Sequence, residues 1–326
     1  MINKDDIFSI AGKKQLDKIA LKVFRHQYQT NSDYREFCDY LQVIPEQVKT
    51  IAEIPFLPIE FFKSREILSS TENAEITFTS SGTTGMSTSR HLVTDLSVYE
   101  ESFRRGFSHF YGDIENYVVL ALLPSYLERE GSSLVYMVED MIRQSKKSES
   151  GFYLHDLDKL AVQLAELDER GENVLLIGVT YGLLDLIEKR KFNLRNTIVM
   201  ETGGMKGKRR EMIREELHKV LCDGFGVTAI HSEYGMTELL SQAYSLGYGR
   251  FGCPNWMQIL IRDTEDAREF ITCGKTGGIN VIDLANYNSC SFIATQDLGK
   301  AYADNTFEVL GRFDNSDIRG CNLMVI

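Results

Sequence analysis

The sequence predicts an α/β fold, in which a parallel sheet flanked by helices is followed by a C-terminal lobe of mostly antiparallel strands. Between residues 117 and 230, short and continuous apolar runs alternate with segments of helical periodicity. That alternation is typical of parallel sheets covered on both faces. From about residue 247, Gly, Asn and Asp separate shorter apolar stretches, which indicates hairpins. We therefore predict two lobes, residues 1–246 and 247–326.

The apolar periodicity predicts the individual elements in chain order. Residues 5–50 have a helical pattern, which Pro55 and Pro58 end. The strands and helices expected after them are strand 117–123, a helix around 134–141, strand 174–179, helix 183–190, strand 197–200, helix 208–221 and strand 227–230. Short strands of the second lobe are expected around Ile259, 279–284, 292–294 and 307–310. Because ligands of parallel sheets bind beyond the carboxyl ends of the strands, the turns after these strands are the candidate sites.

Composition limits the function. The chain has 326 residues, of which 43% are hydrophobic, so it can bury a large core. A formal net charge of −11 argues against nucleic acid or an anionic membrane surface as the partner. The start does not resemble a signal peptide, no apolar run is long enough to cross a bilayer, and the six cysteines are scattered without a Cys-x-x-Cys pair. We expect a cytoplasmic protein with reduced thiols and no stable membrane insertion.

A run of Thr, Ser and Gly at residues 79–84 is the first candidate site. Its glycines permit tight bends, and its hydroxyl and backbone N–H groups can surround phosphate oxygens. The run lacks the Gly-Lys-Ser/Thr ending of a P-loop. A surface turn is the alternative interpretation.

Two further candidates follow predicted strands. In Glu201–Gly207, the pair Gly203 and Gly204 would let a planar ring approach the backbone, although an ordinary turn is the alternative. The segment His231–Glu238 contains an aromatic ring that can stack on a base and a carboxylate that can bind Mg²⁺. A structural turn is the alternative there as well. Two other glycine-rich stretches, at 247–252 and 274–276, lack the contexts of the nucleotide motifs that they imitate and are predicted to be turns.

Together these segments resemble the motifs of the adenylate-forming enzymes, which join a carboxylate to AMP at the expense of ATP. The stretch Tyr234–Glu238 matches the Tyr-Gly-x-Thr-Glu motif of that family, and Thr295–Gly299 and Gly311–Asp314 match two late motifs. The chain departs from the family at Ser87–Ser89, where Pro-Lys is common.

The resemblance implies a role for each matched residue, with ATP and Mg²⁺ as cofactors. Tyr234 would flank adenine, Thr237 would contact the α-phosphate, Glu238 would bind Mg²⁺, Asp297 would bind the ribose hydroxyls and Arg312 would reach ribose or phosphate. The residues expected to surround the nucleotide are Thr79, Ser80, Ser81, Gly82, Thr83, Thr84, Gly85, Gly203, Gly204, Tyr234, Gly235, Asp297 and Arg312.

Most family members continue after the Gly-Arg-x-Asp motif with a small lid domain, which carries a lysine of the adenylation site. Only twelve residues follow Asp314, so we expect the lid domain and its lysine to be absent. Lys206 and Arg319 are candidates to replace that lysine.

The short C-terminal part and the ending Arg-Gly-Cys-Asn-Leu resemble one branch closely, the LuxE-type acyl-protein synthetases. The resemblance implies that a long-chain fatty acid is activated as acyl-AMP and moved to Cys321, which a nearby arginine and a position close to the end of the chain also favour. It further implies an acyl reductase subunit as the partner, and a homo-oligomer is possible. The alternatives are transfer to CoA or a carrier protein, and a non-catalytic acyl- or nucleotide-binding subunit. An inert thiol is the alternative interpretation of Cys321.

Overall fold

The structure is a computed structural model that describes residues 2–80, 88–123, 131–153, 156–203 and 212–313. Its helices are α1 Lys4–Phe8, α2 Lys13–Thr30, α3 Ser32–Tyr40, α4 Phe61–Ser64, α5 Leu96–Tyr111, α6 Ser133–Ser145, α7 Leu157–Glu169, α8 Thr180–Lys189 and α9 Arg214–Phe225. Its strands are β1 Leu57–Pro58, β2 Ile76–Thr79, β3 Arg90–Val93, β4 Val118–Leu122, β5 Gly151–Phe152, β6 Val174–Val179, β7 Thr197–Thr202, β8 His231–Tyr234, β9 Ala243–Ser245, β10 Phe251–Gly252, β11 Met257–Arg262, β12 Gly277–Asp283, β13 Phe292–Ala301 and β14 Phe307–Arg312.

The chain divides into two compact units that alternate along the sequence. The first unit contains Met1–Ser102, Thr237–Ser241 and Gly252–Ile326, and the second contains Phe103–Met236 and Gln242–Phe251. Each is described by itself below. The lobe boundary near residue 247 stays a prediction. No helix within the described segments is long and apolar enough to span a membrane.

The second unit contains the parallel sheet that the sequence predicts. Its strands run in the order β5-β4-β6-β7-β8, all parallel, and β9 pairs with β8 in the antiparallel direction. Every residue of β4 and β6 is buried, which explains why both strands are continuous apolar runs. Apolar side chains of α7, α8 and α9 pack on the sheet in one cluster with strand residues such as Leu120 and Leu176.

One predicted strand is wrong. The apolar run 227–230 is not a strand, and β8 begins at His231 instead. The register of β8 is set by its neighbour, because Met200 of β7 pairs with His231. Tyr234 therefore ends the strand and does not follow it. The helix predicted at 208–221 is observed at Arg214–Phe225, while residues 208–211 lie outside the described part of the chain.

The first unit contains the antiparallel strands. Their order is β11-β12-β13-β14, with β1 parallel to β13, while β2 and β3 form a separate hairpin. Strand β13 extends to Ala301, well beyond the predicted 292–294. The motif Thr295–Gly299 thus lies within a long strand, where Leu298 and Gly299 pair with both β12 and β14 and Asp297 pairs with β14.

The N-terminal helices belong to this same unit. The buried side chain of Gln27 on α2 donates from Nε2 to the carbonyls of Asn286 and Tyr287, each at 3.1 Å, and its Oε1 accepts from the N–H of Ser291 at 3.0 Å. These bonds connect the first helices of the chain to a loop about 260 residues later. The turn predicted at 274–276 is confirmed, with φ of 84° at Gly274, and the turn predicted at 247–252 is confirmed up to residue 250, with φ of 67° at Gly249, whereas Phe251–Gly252 form β10.

Candidate functional site

The hairpin β2–β3 presents the first predicted motif in the first unit. Thr79 pairs with Arg90, and Ser80 follows it. The Ser80 N–H donates to the carbonyl of Ser89 at 3.1 Å, and the Ser89 N–H donates to Ser80 Oγ at 2.9 Å. The remaining predicted phosphate-binding residues, Ser81, Gly82, Thr83, Thr84 and Gly85, lie outside the described residues, so their role stays a prediction.

Glu238 is the carboxylate predicted to bind Mg²⁺, and it is buried in the first unit with 5% of its surface exposed. Burial raises the pKa of its carboxyl group, while a hydrogen bond from the Ser89 side chain and the charges of Arg312 and Lys63 act in the opposite direction. The structure thus brings Glu238 together with the end of the hairpin and with Arg312. Lys63, on α4, is a cation that sequence reasoning missed, because no local pattern marks it.

The backbone on either side of this carboxylate is held by two buried side chains. His91 Nδ1 lies 2.8 Å from the carbonyl oxygen of Thr237, and Asn286 Nδ2 donates to the carbonyl oxygen of Glu238 at 2.7 Å. Both side chains are almost fully buried. Thr237 and Glu238 therefore keep one backbone orientation, which directs the Glu238 side chain towards Ser89.

Asp283 holds the backbone of the residues that follow Glu238 in the chain. Its carboxylate accepts from the N–H groups of Leu240 and Ser241, at 2.8 and 3.0 Å, and from the Ser241 hydroxyl. The group is fully buried, and burial raises its pKa against the opposing effect of these hydrogen bonds. Sequence reasoning missed His91, Asn286 and Asp283. Only His91 stands near a predicted motif, two residues after Ser89.

Asp297 and Arg312, predicted from the late motifs, face each other in the first unit. Their Cα atoms are partners in the β13–β14 ladder, and Arg312 Nε donates to Asp297 Oδ1 at 3.0 Å. The carboxylate is 9% exposed and the guanidinium 74% exposed. A buried acceptor beside an exposed cation suits a ligand with both hydroxyl and phosphate groups.

In the second unit, Tyr234 closes β8 with a buried ring whose centroid lies 6.0 Å from that of Phe251. Gly235 follows directly, and a Cβ atom there would collide with Glu233 Oε1. The other oxygen of Glu233 accepts from the Thr202 hydroxyl at 2.6 Å, so the carboxylate cannot easily move aside. Only glycine fits at position 235 without displacing Glu233.

Glu233 itself was not predicted as a site residue. Burial raises its pKa to about 7, the hydrogen bond from Thr202 opposes this, and the charge of Glu201 adds to it. The pKa of the buried Glu201 carboxyl group shifts in the opposite direction. The interactions with His218, whose Nε2 lies 3.6 Å from Glu201 Oε1, and with Arg214 and Ser232 outweigh burial and lower its pKa.

Gly203 directly follows β7 and has a left-handed conformation with φ of 72°, which favours glycine. Its carbonyl oxygen accepts from the Thr180 hydroxyl at 2.7 Å. Gly204 and Cys321 lie outside the described residues, and so do Lys206 and Arg319. Their predicted roles therefore stay predictions.

The residues present fit a magnesium ion that arrives with a nucleotide. Within the described ranges there is no group of three or more His, Cys, Asp or Glu that could hold a metal alone. Mg²⁺ commonly binds through one or two carboxylates together with substrate phosphates and water. Glu238 provides one such carboxylate, and because burial disfavours its charge, a cation beside it would be stabilising.

The chain is similar in sequence to proteins of one described family. The model of the family described as "Acyl-protein synthetase, LuxE" matches residues 7–107. A curated protein of Vibrio harveyi named "Long-chain-fatty-acid–luciferin-component ligase" is 23% identical over 97% of this chain and 89% of its own length. The protein of that name from Aliivibrio fischeri is 22% identical over 99% of this chain and 91% of its own.

Several solved structures share the fold of this chain. The structure titled 2-hydroxyisobutyryl-CoA ligase in the postadenylation state, in complex with 2-HIB-AMP, superimposes with a TM-score of 0.70 and 12% identity over 94% of this chain and 70% of its own. ATP-bound MatB from Rhodopseudomonas palustris gives a TM-score of 0.55 and 18% identity over 75% of this chain. The match covers 48% of MatB, so the chain spans about half of that protein. The predicted resemblance is confirmed as a similarity: this chain is similar in sequence to the LuxE-type acyl-protein synthetases, and it shares its fold with 2-hydroxyisobutyryl-CoA ligase.

Proposed function

We propose that this protein is an ATP-dependent acyl-protein synthetase, which activates a long-chain fatty acid as acyl-AMP and transfers the acyl group to a cysteine thiol. The observation that carries the proposal is the grouping in the first unit. Ser80 and Ser89 at the end of the hairpin, the carboxylate of Glu238 and the pair of Asp297 and Arg312 belong to three separate motifs of one family. The names of the curated relatives indicate the same substrate class.

Each residue has a role that its environment supports. Asp297 accepts hydrogen bonds from the ribose hydroxyls, and the exposed guanidinium of Arg312 beside it binds ribose or phosphate oxygens. Glu238 would hold Mg²⁺, which would supply charge neutralisation at the phosphates. Thr237, whose carbonyl is bonded to His91, presents its hydroxyl towards the α-phosphate. Tyr234 and Gly235 contact the adenine, and Gly203 and Gly204 also bind the nucleotide.

The chemistry proceeds in two steps that balance. A carboxylate oxygen of the fatty acid attacks the α-phosphorus of ATP, the bond to the β-phosphate oxygen breaks, and pyrophosphate leaves. The Cys321 thiolate then attacks the acyl carbonyl carbon, the bond to the AMP oxygen breaks, and AMP leaves with the electron pair. The product is an acyl-protein thioester, ready for an acyl reductase that would be the next partner.

The other cysteines support the choice of Cys321 as acceptor. Burial raises the pKa of Cys38, Cys253 and Cys290 to about 12, which keeps them as unreactive thiols at neutral pH. Burial also raises the pKa of Cys222. Cys273 is exposed and is the competitor that an experiment must exclude.

The first experiment measures fatty-acid-dependent exchange of labelled pyrophosphate into ATP in the presence of Mg²⁺. We expect exchange with long-chain acids and none without acid. Product analysis with and without CoA separates protein acylation from CoA ligation, because an acyl-CoA product that forms in place of protein label would contradict the proposal. Binding of ATP without exchange, whatever the acid, would indicate a non-catalytic subunit.

The second experiment identifies the acceptor with an alkyne-tagged fatty acid. The wild-type protein should acquire a label that hydroxylamine removes, whereas Cys321→Ser should lose this label and keep pyrophosphate exchange. Cys273→Ser is the matched control and should remain labelled. If Cys321→Ser keeps the hydroxylamine-sensitive label and Cys273→Ser loses it, the acceptor is the exposed cysteine instead.

A further inference from the structure

Three buried polar atoms of the first unit have no hydrogen-bond partner in the described part of the chain, and the residues that carry them line the same cavity. They are His91 Nε2, Thr94 Oγ1 and Asn286 Oδ1. The exposed fractions of the three residues are 0%, 4% and 1%. The cavity has a volume of about 10 Å³, which is close to the space that one water molecule needs. Buried polar groups in folded proteins are nearly always paired with protein or ordered water.

The hydrogen-bonding roles of the three atoms follow from their other contacts. Because the Thr237 carbonyl oxygen can only accept, His91 Nδ1 carries the proton in the 2.8 Å bond. Burial lowers the pKa of His91 to about 4, although Thr237 and the nearby Asn286 side chain oppose this, so the ring is neutral and Nε2 is an acceptor. The Asn286 amide donates through Nδ2 to the Glu238 carbonyl, which leaves Oδ1 as an acceptor.

The cavity therefore presents two acceptors and one hydroxyl that can donate. A water molecule has two protons to donate and can accept from a hydroxyl. One water would satisfy all three atoms at once, which no direct pairing of the two acceptors could do. The chemistry of the lining and the volume of the cavity lead independently to the same occupant.

We propose that this cavity holds one structural water molecule, and that His91 and Asn286 act through it as positioning residues for Thr237 and Glu238. The water joins the far ends of the two side chains whose near ends bind consecutive carbonyl groups. It thereby fixes the histidine tautomer and the amide orientation, and so the backbone from which the Glu238 side chain projects. The existence of the water is independent of the proposed function, whereas its effect on adenylation rests on that function.

The first test is a crystal structure of the full chain at a resolution that shows ordered water. We expect one density peak within hydrogen-bond distance of His91 Nε2, Thr94 Oγ1 and Asn286 Oδ1. An empty cavity, or one closed by a direct bond between His91 and Asn286, would overturn the proposal. This result does not depend on whether the protein has any activity.

The second test changes the water site without changing the two direct bonds. Thr94→Val removes only the hydroxyl, and Thr94→Ser keeps it as the matched control. We expect Thr94→Val to lower kcat for pyrophosphate exchange by about two- to tenfold, the equivalent of one ordinary hydrogen bond, with KM for ATP nearly unchanged. Thr94→Ser should restore kcat.

A purely structural role for the water would lower the melting temperature of Thr94→Val and leave kcat unchanged, which would contradict the positioning role. If Thr94→Val does not fold, the crystal structure of the wild-type protein still decides whether the water is present. If the wild-type protein shows no exchange with any acid, the proposed function fails while the first test still stands.

Discussion

Glu238 and Asp297 lie in the same compact unit, yet their carboxylates are held in different ways. Asp297 is a ladder partner of Arg312 on the next strand, so the register of β13 and β14 is enough to place the two side chains together. Glu238 lies outside any strand, and its backbone is held by His91 and Asn286 from elsewhere in the chain.

The two carboxylates also differ in how the protein compensates their charge. Asp297 has a guanidinium 3.0 Å away, whereas burial raises the pKa of Glu238 in spite of Arg312 and Lys63. The comparison indicates that Asp297 is an anion already compensated by the protein. Glu238, in contrast, is an acid whose charge is best compensated by a cation that arrives with the substrate.

The largest effect is expected for Glu238→Gln. Loss of the Mg²⁺ ligand should reduce pyrophosphate exchange by about 100-fold or more, since a metal ion contributes several kcal/mol to such a transition state. The variant should be at least as stable as the wild type at pH 7, because burial penalises the charge that is removed. Exchange assays and urea unfolding measure the two quantities. Unchanged exchange in the folded variant would refute the metal-binding role of Glu238.

Asp297→Asn is the matched substitution and should have a smaller effect on activity. Hydrogen bonds to a charged acceptor contribute about 1.5–3 kcal/mol, so ATP should bind about ten- to 100-fold more weakly. Calorimetry with ATP and with 2′-deoxy-ATP measures this difference. The preference for ATP over the deoxynucleotide should shrink in the variant, and an unaltered preference would show that Asp297 does not contact the ribose.

Asp297→Asn should also differ from Glu238→Gln in stability. The substitution leaves Arg312 without its ion-pair partner, but that guanidinium is largely exposed, so the loss should be below about 1 kcal/mol. If Glu238→Gln raises the free energy of unfolding and Asp297→Asn lowers it, the two carboxylates are held in different ways, as we infer. Equal changes in the two variants would contradict that inference.

The smallest effect concerns Glu233 in the second unit. Its pKa of about 7 lies above the ordinary 4.5, so between these pH values the folded protein retains a proton that the unfolded chain releases. Protonated Glu233 therefore adds to the free energy of unfolding. This addition is complete below pH 4.5 and is lost as the pH rises through 7. Glu233→Gln should remove that loss.

The expected measurement is urea unfolding of Glu233→Gln and wild type at pH 5, 6, 7 and 8. The stability of the variant relative to wild type should grow with pH by an amount on the order of 1–3 kcal/mol and level off above 7. Glu75→Gln, the same change at an exposed carboxylate, provides the control. A difference that does not vary with pH would show that Glu233 titrates normally.

The sequence by itself determined the fold class and the order of the motifs. Strand Val174–Val179 was predicted with its observed ends, because a strand buried on both faces is a continuous apolar run. Asp297 and Arg312 were also named as site residues, because each stands in a recognisable motif, while their pairing became visible only in the β13–β14 ladder. These features depend on residues close together in sequence.

Only the tertiary structure decided which residues support Glu238. His91 and Thr237 are 146 positions apart, and Asn286 and Glu238 are 48 apart, so no local periodicity links them. The strand predicted at 227–230 failed for a related reason, because pairing with β7 placed β8 at His231–Tyr234 in spite of the more apolar run before it. The apolar pattern of a segment indicates how deeply that segment is buried. The register of a strand and the polar contacts of a side chain depend on partner residues that only the folded chain brings near.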